Sequence, residues 1–442
     1  MRVNRRPQPV APPRTHEGAI ATPTSPYNQL QRSVLSCMLW EDTFYENGVS
    51  IAQRIEKLVT QVNPDEVMRL ARRARGEFNL RHAPLHLLNA CIKAGKSDAR
   101  YRDGLKEAIN DVIQRADEMA ELLAMYWKDG KQPLTKQLQR GLAMAFTKFT
   151  PYSLAKYNRD EAVKMRDVLF LSHAKPQSAE QAEAWRKLVN GTLEPPNTWE
   201  VKLTACHNET EKRACWIDLL EGNALGALAL IRNLRNMQQV GVPDEMIREA
   251  LNNMATERVL PFRFITAHRH APKFARQLEN AMLRNLGDAH IGGSTVILVD
   301  VSGSMDCMLS QRSEMTRWEA AAGLALLGAH TFHNCAIYSF SYNAVKVPNF
   351  GGGFDLIKAI GNSQSHGGTN LGTAIREVPS CDRLIVITDE QSHERVVWPK
   401  NQMNYCINVG SYQNGVSYNR DVIHLDGFSD AVLKWMVAFE TT

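Results

Sequence analysis

The segment from Thr295 to Ser304 constrains the fold of this chain more than any other. Thr295 to Asp300 is an unbroken β-branched and aliphatic run ending in a carboxylate, and Ser302 and Ser304 follow at alternate positions. Such a run reads as a strand buried on both faces. The polar cluster then lies just beyond its carboxyl end, where open α/β sheets bind ligands. One carboxylate with two hydroxyls is a hard-oxygen set suited to Mg²⁺, which takes few protein ligands and keeps several waters. Two further segments complement it. Gly367, Gly368, Thr369 and Asn370 open a helical stretch and add a hydroxyl, and the apolar run from Arg383 to Thr388 ends in Asp389. The competing reading is that these side chains cap the helices that follow.

This three-loop set (Asp300, Ser302, Ser304; Thr369; Asp389) resembles the metal-ion-dependent adhesion site of von Willebrand factor A domains. The resemblance implies a bound divalent metal, most simply Mg²⁺. Candidate strands at 295–300, 335–341, 383–388, 404–409 and 422–425 alternate with helices near 315–333, 353–361, 370–377 and 428–439. That alternation predicts a doubly wound, mostly parallel α/β sheet over residues 291–442.

Charge divides the chain. Residues 291–442 carry 10 Lys and Arg against 14 Asp and Glu, whereas residues 1–290 carry 42 against 33. The basic part is therefore the one expected to attract a polyanion. Residues 1–26, rich in Pro, Arg, Thr and Ser, read as a flexible N-terminal arm. No apolar run reaches the ~20 residues that span a bilayer, and the N-terminus lacks the apolar core of a secretory leader. The eight cysteines are scattered without a C-x-x-C. Together these features predict a cytoplasmic protein in a reducing compartment.

From Tyr27 to Leu286 the period is helical almost throughout, as in Gln29–Met38, Ile51–Val62, Asp65–Arg75, Ala83–Ala94, Leu105–Arg115 and Ala116–Trp127. Asn63 before Pro64 marks a helix start. Cys215–Met237 reads as one apolar helix. Short helices in succession predict a HEAT-like α-helical array, although no clean sequence period is present.

Several motifs in this array are similar to the TROVE module. They are Leu39–Gly48, Leu134–Ala143, Phe146–Phe149, Leu154–Asn158, Arg166–Pro176 and Leu225–Met237. With the A domain behind them, the chain resembles the Ro ribonucleoprotein family, in particular its compact bacterial-type members, over about residues 27–440. That resemblance implies a monomeric ring of HEAT-like helix pairs (27–286) closed by the A domain (291–442). It implies binding of small structured Y-like RNAs on a basic outer surface and of single-stranded 3′ ends of misfolded RNAs in the central hole. A 3′ exoribonuclease is an implied partner.

The residues are compatible with this picture, since basic side chains contact phosphate and exposed aromatics stack on unpaired bases. Residues 128–175 interleave ten Lys and Arg with five aromatics. Lys136 and Arg140 belong to this basic stretch. Lys148, Lys156 and His173 match the family's Y RNA contact positions, and Arg232 falls in the stretch that faces the hole. A helix-capping His173 and merely solvated lysines are the alternatives. Asn233 reads equally as a buried structural hydrogen-bonding group, and His268 with His270 as a polar or RNA-facing surface.

No catalytic constellation emerges. Gly95, Lys96 and Ser97 match only the end of a P-loop, with Ala90 where its first glycine belongs. Asp300 and Asp389 lack the second metal or evident base that nuclease chemistry usually requires. The sequence therefore predicts a non-catalytic RNA-binding scaffold. The alternatives are a metal-dependent adaptor that recruits an acidic protein partner through the A domain, and an RNA hydrolase.

Overall fold

The computed structural model describes residues 12–36, 39–194, 196–287, 290–311, 313–348, 353–400 and 402–441. Up to Leu286 it is helical. The first helix, Pro26–Leu35, is capped by Ser25, with proline at its first position. Asn63 likewise caps Pro64–Gly76, its side chain accepting from the Asp65 amide at 2.9 Å. Such caps satisfy amides that the first turn leaves without partners.

Helices then stack on their neighbours in chain order: Pro64–Gly76 on His82–Ala94 and Leu105–Val112, then Lys136–Phe146, then Met165–Ser172. Gly141 permits one close approach, because a Cβ there would lie 2.7 Å from the Ile109 side chain. Both ends of the helical run rest on the C-terminal domain. Pro26–Leu35 packs against its last strand, and Pro261–His270 packs against its helix Arg317–Thr331. The array is thereby closed into a circuit.

The C-terminal domain has six strands: β1 (Thr295–Asp300), β2 (Cys335–Phe340), β3 (Ala344–Lys346), β4 (Arg383–Thr388), β5 (Met403–Asn408) and β6 (Ile423–Asp426). Their order is β3-β2-β1-β4-β5-β6, parallel except for β3. Sequence alternation missed only β3, which is too short to show a period. The order reverses between β1 and β4, and the crevice at such a switch point is the usual ligand position of an open α/β sheet. Ile297 and Val299 face the core shared with the helical half, while Val296 and Leu298 face a second cluster with Leu384, Val386 and Trp398. Both faces are covered, as the unbroken apolar runs require.

Two expectations change. The stretch from Cys215 to Met237 is not one helix: it is divided among Glu209–Glu221, Ala227–Arg232 and Leu234–Gln239. Asn233 stands at the last break, buried, donating to the Ala229 carbonyl at 2.8 Å and accepting from Asn236 at 2.9 Å. This is the structural role weighed for it above. The N-terminal arm is also not free over its described part. The Thr15 hydroxyl donates to the Ser392 carbonyl, and the His16 amide donates to the Gln391 side chain, each at 2.8 Å. Thr22 pairs with Gly415 as a β-bridge. Small residues such as Ala19 and Ala21 bury without large side chains, so composition hid the docking. Residues 1–11 lie outside the described residues.

Candidate metal centre and nucleic-acid interface

At the β1/β4 switch point the expected donors converge. The Ser302 amide donates to Asp300 Oδ1 at 2.9 Å. The Ser304 hydroxyl donates to Asp389 Oδ2 at 2.6 Å, and the two serine hydroxyls lie 3.3 Å apart. Gly303 donates to the Gly367 carbonyl at 2.8 Å, which draws in the loop that carries Thr369. Thr369 is held by its backbone, its amide donating to His393 Nδ1 at 3.0 Å. Its hydroxyl makes no hydrogen bond to the other four residues. Asp300, Ser302, Ser304, Thr369 and Asp389 are each no more than 5% exposed.

Burial and the neighbouring Asp389 push the Asp300 carboxyl up to about 7. Burial likewise raises Asp389, against hydrogen bonds from Ser304 and Gln391 and the fields of Arg317 and Arg32. Among the described residues neither carboxylate is ion-paired. Two sealed carboxylates with no bonded cation fit a hard divalent ion. Among the described residues no group of three or more His, Cys, Asp and Glu gathers, so an ion here depends on the hydroxyls.

Sequence reasoning missed three members of this neighbourhood. The Thr388 hydroxyl donates to Asp300 Oδ2 at 2.5 Å; its place next to Asp389 was the available signal. Arg32, on the first helix, is fully buried in an ion pair with Glu390 and also bonds the Asp389 carbonyl. Tyr45, also from the helical half, stands in the field of Asp389 and Asp300. Burial raises its phenol well above the ordinary value. Nothing local in the sequence ties Arg32 or Tyr45 to the strand ends.

The predicted RNA contacts do not form one cluster. Lys136 and Arg140 are exposed on Lys136–Phe146. Lys136 edges a shallow cleft with Lys96 and Arg102. The Lys148 ammonium bonds the Asn110 and Ile113 carbonyls, which end the helix Leu105–Val112, and burial lowers its proton affinity. The residue itself is exposed, with its ammonium at a helix end. Lys156 lies over the Tyr157 ring. His173 is exposed and ends Met165–Ser172 in the left-handed conformation, φ 54°. It does occupy the helix-capping position.

Arg232 lies elsewhere, in a cleft of about 490 Å³ between the helical half and the C-terminal domain, together with Arg235, Asn236, Arg263, His270, Ser313 and Glu314. The cleft's carboxylate, Glu314, pairs with His270 at 3.0 Å, and Arg269 donates to its carbonyl at 2.7 Å. Among the described residues no carboxylate pairs with Arg232, Arg235 or Arg263. Desolvation in the cleft and the adjacent Arg232 charge both lower Arg263. His268 is on the helix Pro261–His270 and stacks on Phe354 with ring centroids 4.6 Å apart.

Residues 190–320 match the family model for the TROVE domain. Over that stretch the chain is similar to a TROVE domain. The matched residues include the arginine cleft and β1. Over 94 residues the chain is 31% identical to Telomerase protein component 1 of Mus musculus, a match covering 20% of this chain and 4% of that protein. The chain thus spans only a small fraction of that relative. The crystal structure of the Ro (RSR) protein of Deinococcus radiodurans shares 18% identity and a TM-score of 0.62, covering 94% of this chain and 99% of that one. That likeness concerns the fold, and it bears out a helical array closed by a doubly wound domain. Of the TROVE-like motifs, the matched residues hold Leu225–Met237.

Proposed function

We propose that this chain is a TROVE-family protein that binds RNA as a non-catalytic scaffold in RNA quality control, maturation or decay. The observation that carries the reading is the cleft in which Arg232, Arg235 and Arg263 lie together without carboxylate partners. Three guanidiniums held near one another favour a polyanion, and their planar forks suit phosphate oxygens. The cleft is the candidate seat for single-stranded 3′ ends of RNA. Lys136, Arg140, Lys156 and His173 are the candidate contacts for a small structured, Y-like RNA. A 3′ exoribonuclease is the expected working partner.

In the same reading a divalent ion, Mg²⁺ by its donor set, is held by Asp300, Ser302, Ser304, Thr369 and Asp389. It supplies positive charge to two buried carboxylates. The alternative role, an A domain that recruits an acidic protein through this ion, draws on the same donors.

Fluorescence anisotropy with a tailed RNA, measured over a range of salt, tests the cleft. Replacing Arg232, Arg235 and Arg263 together by Gln should weaken binding and make the salt dependence shallower by about two, since each single-strand phosphate contact contributes roughly 0.7. Unchanged affinity and slope would remove the cleft from the RNA site.

A further inference from the structure

Three successive residues of the N-terminal arm rest on the loop that follows Asp389. The Thr15 hydroxyl donates to the Ser392 carbonyl at 2.8 Å, and the His16 amide donates to Gln391 Oε1 at 2.8 Å. The Glu17 carboxylate meets His393 Nε2 at 2.9 Å. Each of these loop residues bonds a candidate metal donor in turn. The Gln391 amide donates to Asp389 Oδ1 at 3.1 Å, and its side chain donates to the Asp389 carbonyl at 3.0 Å. The Ser392 hydroxyl donates to the Thr369 carbonyl at 3.2 Å. His393 Nδ1 accepts from the Thr369 amide at 3.0 Å. With Nδ1 accepting, the neutral imidazole carries its proton on Nε2, and Glu17 accepts it.

Thr369 precedes the helix Leu371–Glu377, whereas Asp389 follows β4. The 391–393 loop therefore ties together two donors from different elements, and the arm holds that loop. Gln391 and Ser392 are fully buried. The arm is anchored on both sides of these contacts: the Asn414 side chain donates to the Arg14 carbonyl at 2.8 Å, and the Thr22 amide donates to the Gly415 carbonyl at 2.9 Å. Groups that orient a metal's ligands change its affinity by about 10- to 100-fold when removed. Coupling between two binding events is also reciprocal.

Resting on the metal reading above, we propose that Thr15, His16 and Glu17 are positioning residues for the metal centre, acting through Gln391, Ser392 and His393 on Asp389 and Thr369. Docking of the arm strengthens ion binding, and a bound ion tightens the arm by the same factor.

The test is titration of the full chain with Mn²⁺, followed by electron paramagnetic resonance, together with trypsin digestion with and without the ion. Asn414 holds the Arg14 carbonyl, so cleavage after the exposed Arg14 reports release of the arm. The wild-type chain should bind one Mn²⁺, and the ion should slow cleavage after Arg14. Glu17→Ala and His393→Ala should each bind Mn²⁺ about tenfold more weakly. Glu17→Gln keeps an oxygen for His393 Nε2 and should stay within about twofold of wild type. If circular dichroism shows His393→Ala to be misfolded, Glu17→Ala decides the matter. Wild-type affinity in Glu17→Ala, or cleavage after Arg14 that ignores the ion, would overturn the coupling and leave the metal centre standing. A loss in Glu17→Gln as large as in Glu17→Ala would also overturn it, since the charge of Glu17 and not its hold on His393 would then be at work. A wild-type chain that binds no Mn²⁺, or binds it equally after Asp300→Asn, would overturn the metal centre and the coupling with it.

Discussion

The strand-end centre and the arginine cleft are opposites. The first gathers oxygens around a deficit of positive charge; the second gathers guanidiniums around a deficit of negative charge. They differ in how many like charges they hold. The sealed centre contains two carboxylates, with its other candidate donors neutral hydroxyls. The cleft holds three arginines, all exposed, and one carboxylate, Glu314, which pairs with His270. Burial explains the contrast. Each uncompensated charge removed from water costs several kcal/mol, so a closed site economises on charge, whereas an open one leaves the cost to water until its ligand arrives.

A third arrangement sharpens this comparison and has the largest expected effect. Arg32 and Glu390 are both fully buried, and they compensate each other. Arg32→Met should cost about 3–5 kcal/mol in denaturant unfolding, because Glu390 would remain as a lone buried charge. The deficit should shrink in acid. Burial pushes Glu390 and Asp426 up, but Arg32 and His424 outweigh it and hold both below the usual carboxylate range. Their contribution is present above the ordinary carboxylate pKa of about 4 and is lost as pH falls through their lower folded values.

Asp300 should behave in the opposite sense. Its carboxyl is raised to about 7, so without metal the folded chain loses stability as pH rises from about 4 through that value. Asp300→Asn should remove this loss, on the order of a few kcal/mol at pH 8, as read by thermal unfolding in chelator. The same variant should abolish Mn²⁺ binding and leave RNA affinity unchanged. Loss of RNA binding as well would break the separation of the two sites.

Lys148 gives the smallest effect. Lys148→Met should cost about 1 kcal/mol of stability, the worth of capping hydrogen bonds, while RNA anisotropy stays at the wild-type value. A clear loss of RNA affinity would return Lys148 to the RNA surface.

The strand-end centre was legible because its chemistry is local. Asp300, Ser302 and Ser304 lie within five residues, and Asp389 ends an apolar run that can only be a buried strand. The cleft was half legible. Arg232 stood out in its motif, but nothing in sequence spacing indicates that Arg263 would face it from another helix. Lys148 matched a family position, yet its ammonium found two helix-end carbonyls that no reading of its neighbours reveals. The docked arm was hidden because its anchors are a threonine hydroxyl, a histidine amide and two alanines, none of which carries a hydrophobic pattern.

Closure of the helical circuit has a consequence for biosynthesis. Leu30, Val34 and Leu35 bury the first helix in a core completed by the C-terminal domain, and that helix packs on β6, near the end of the chain. At ~5–20 residues per second, roughly 20–80 s separate the emergence of that helix from that of its partner strand. Throughout that interval the face of this helix that meets β6 lacks its native cover, while the helices Gly48–Val59 and Pro64–Gly76 can already pack on its other faces.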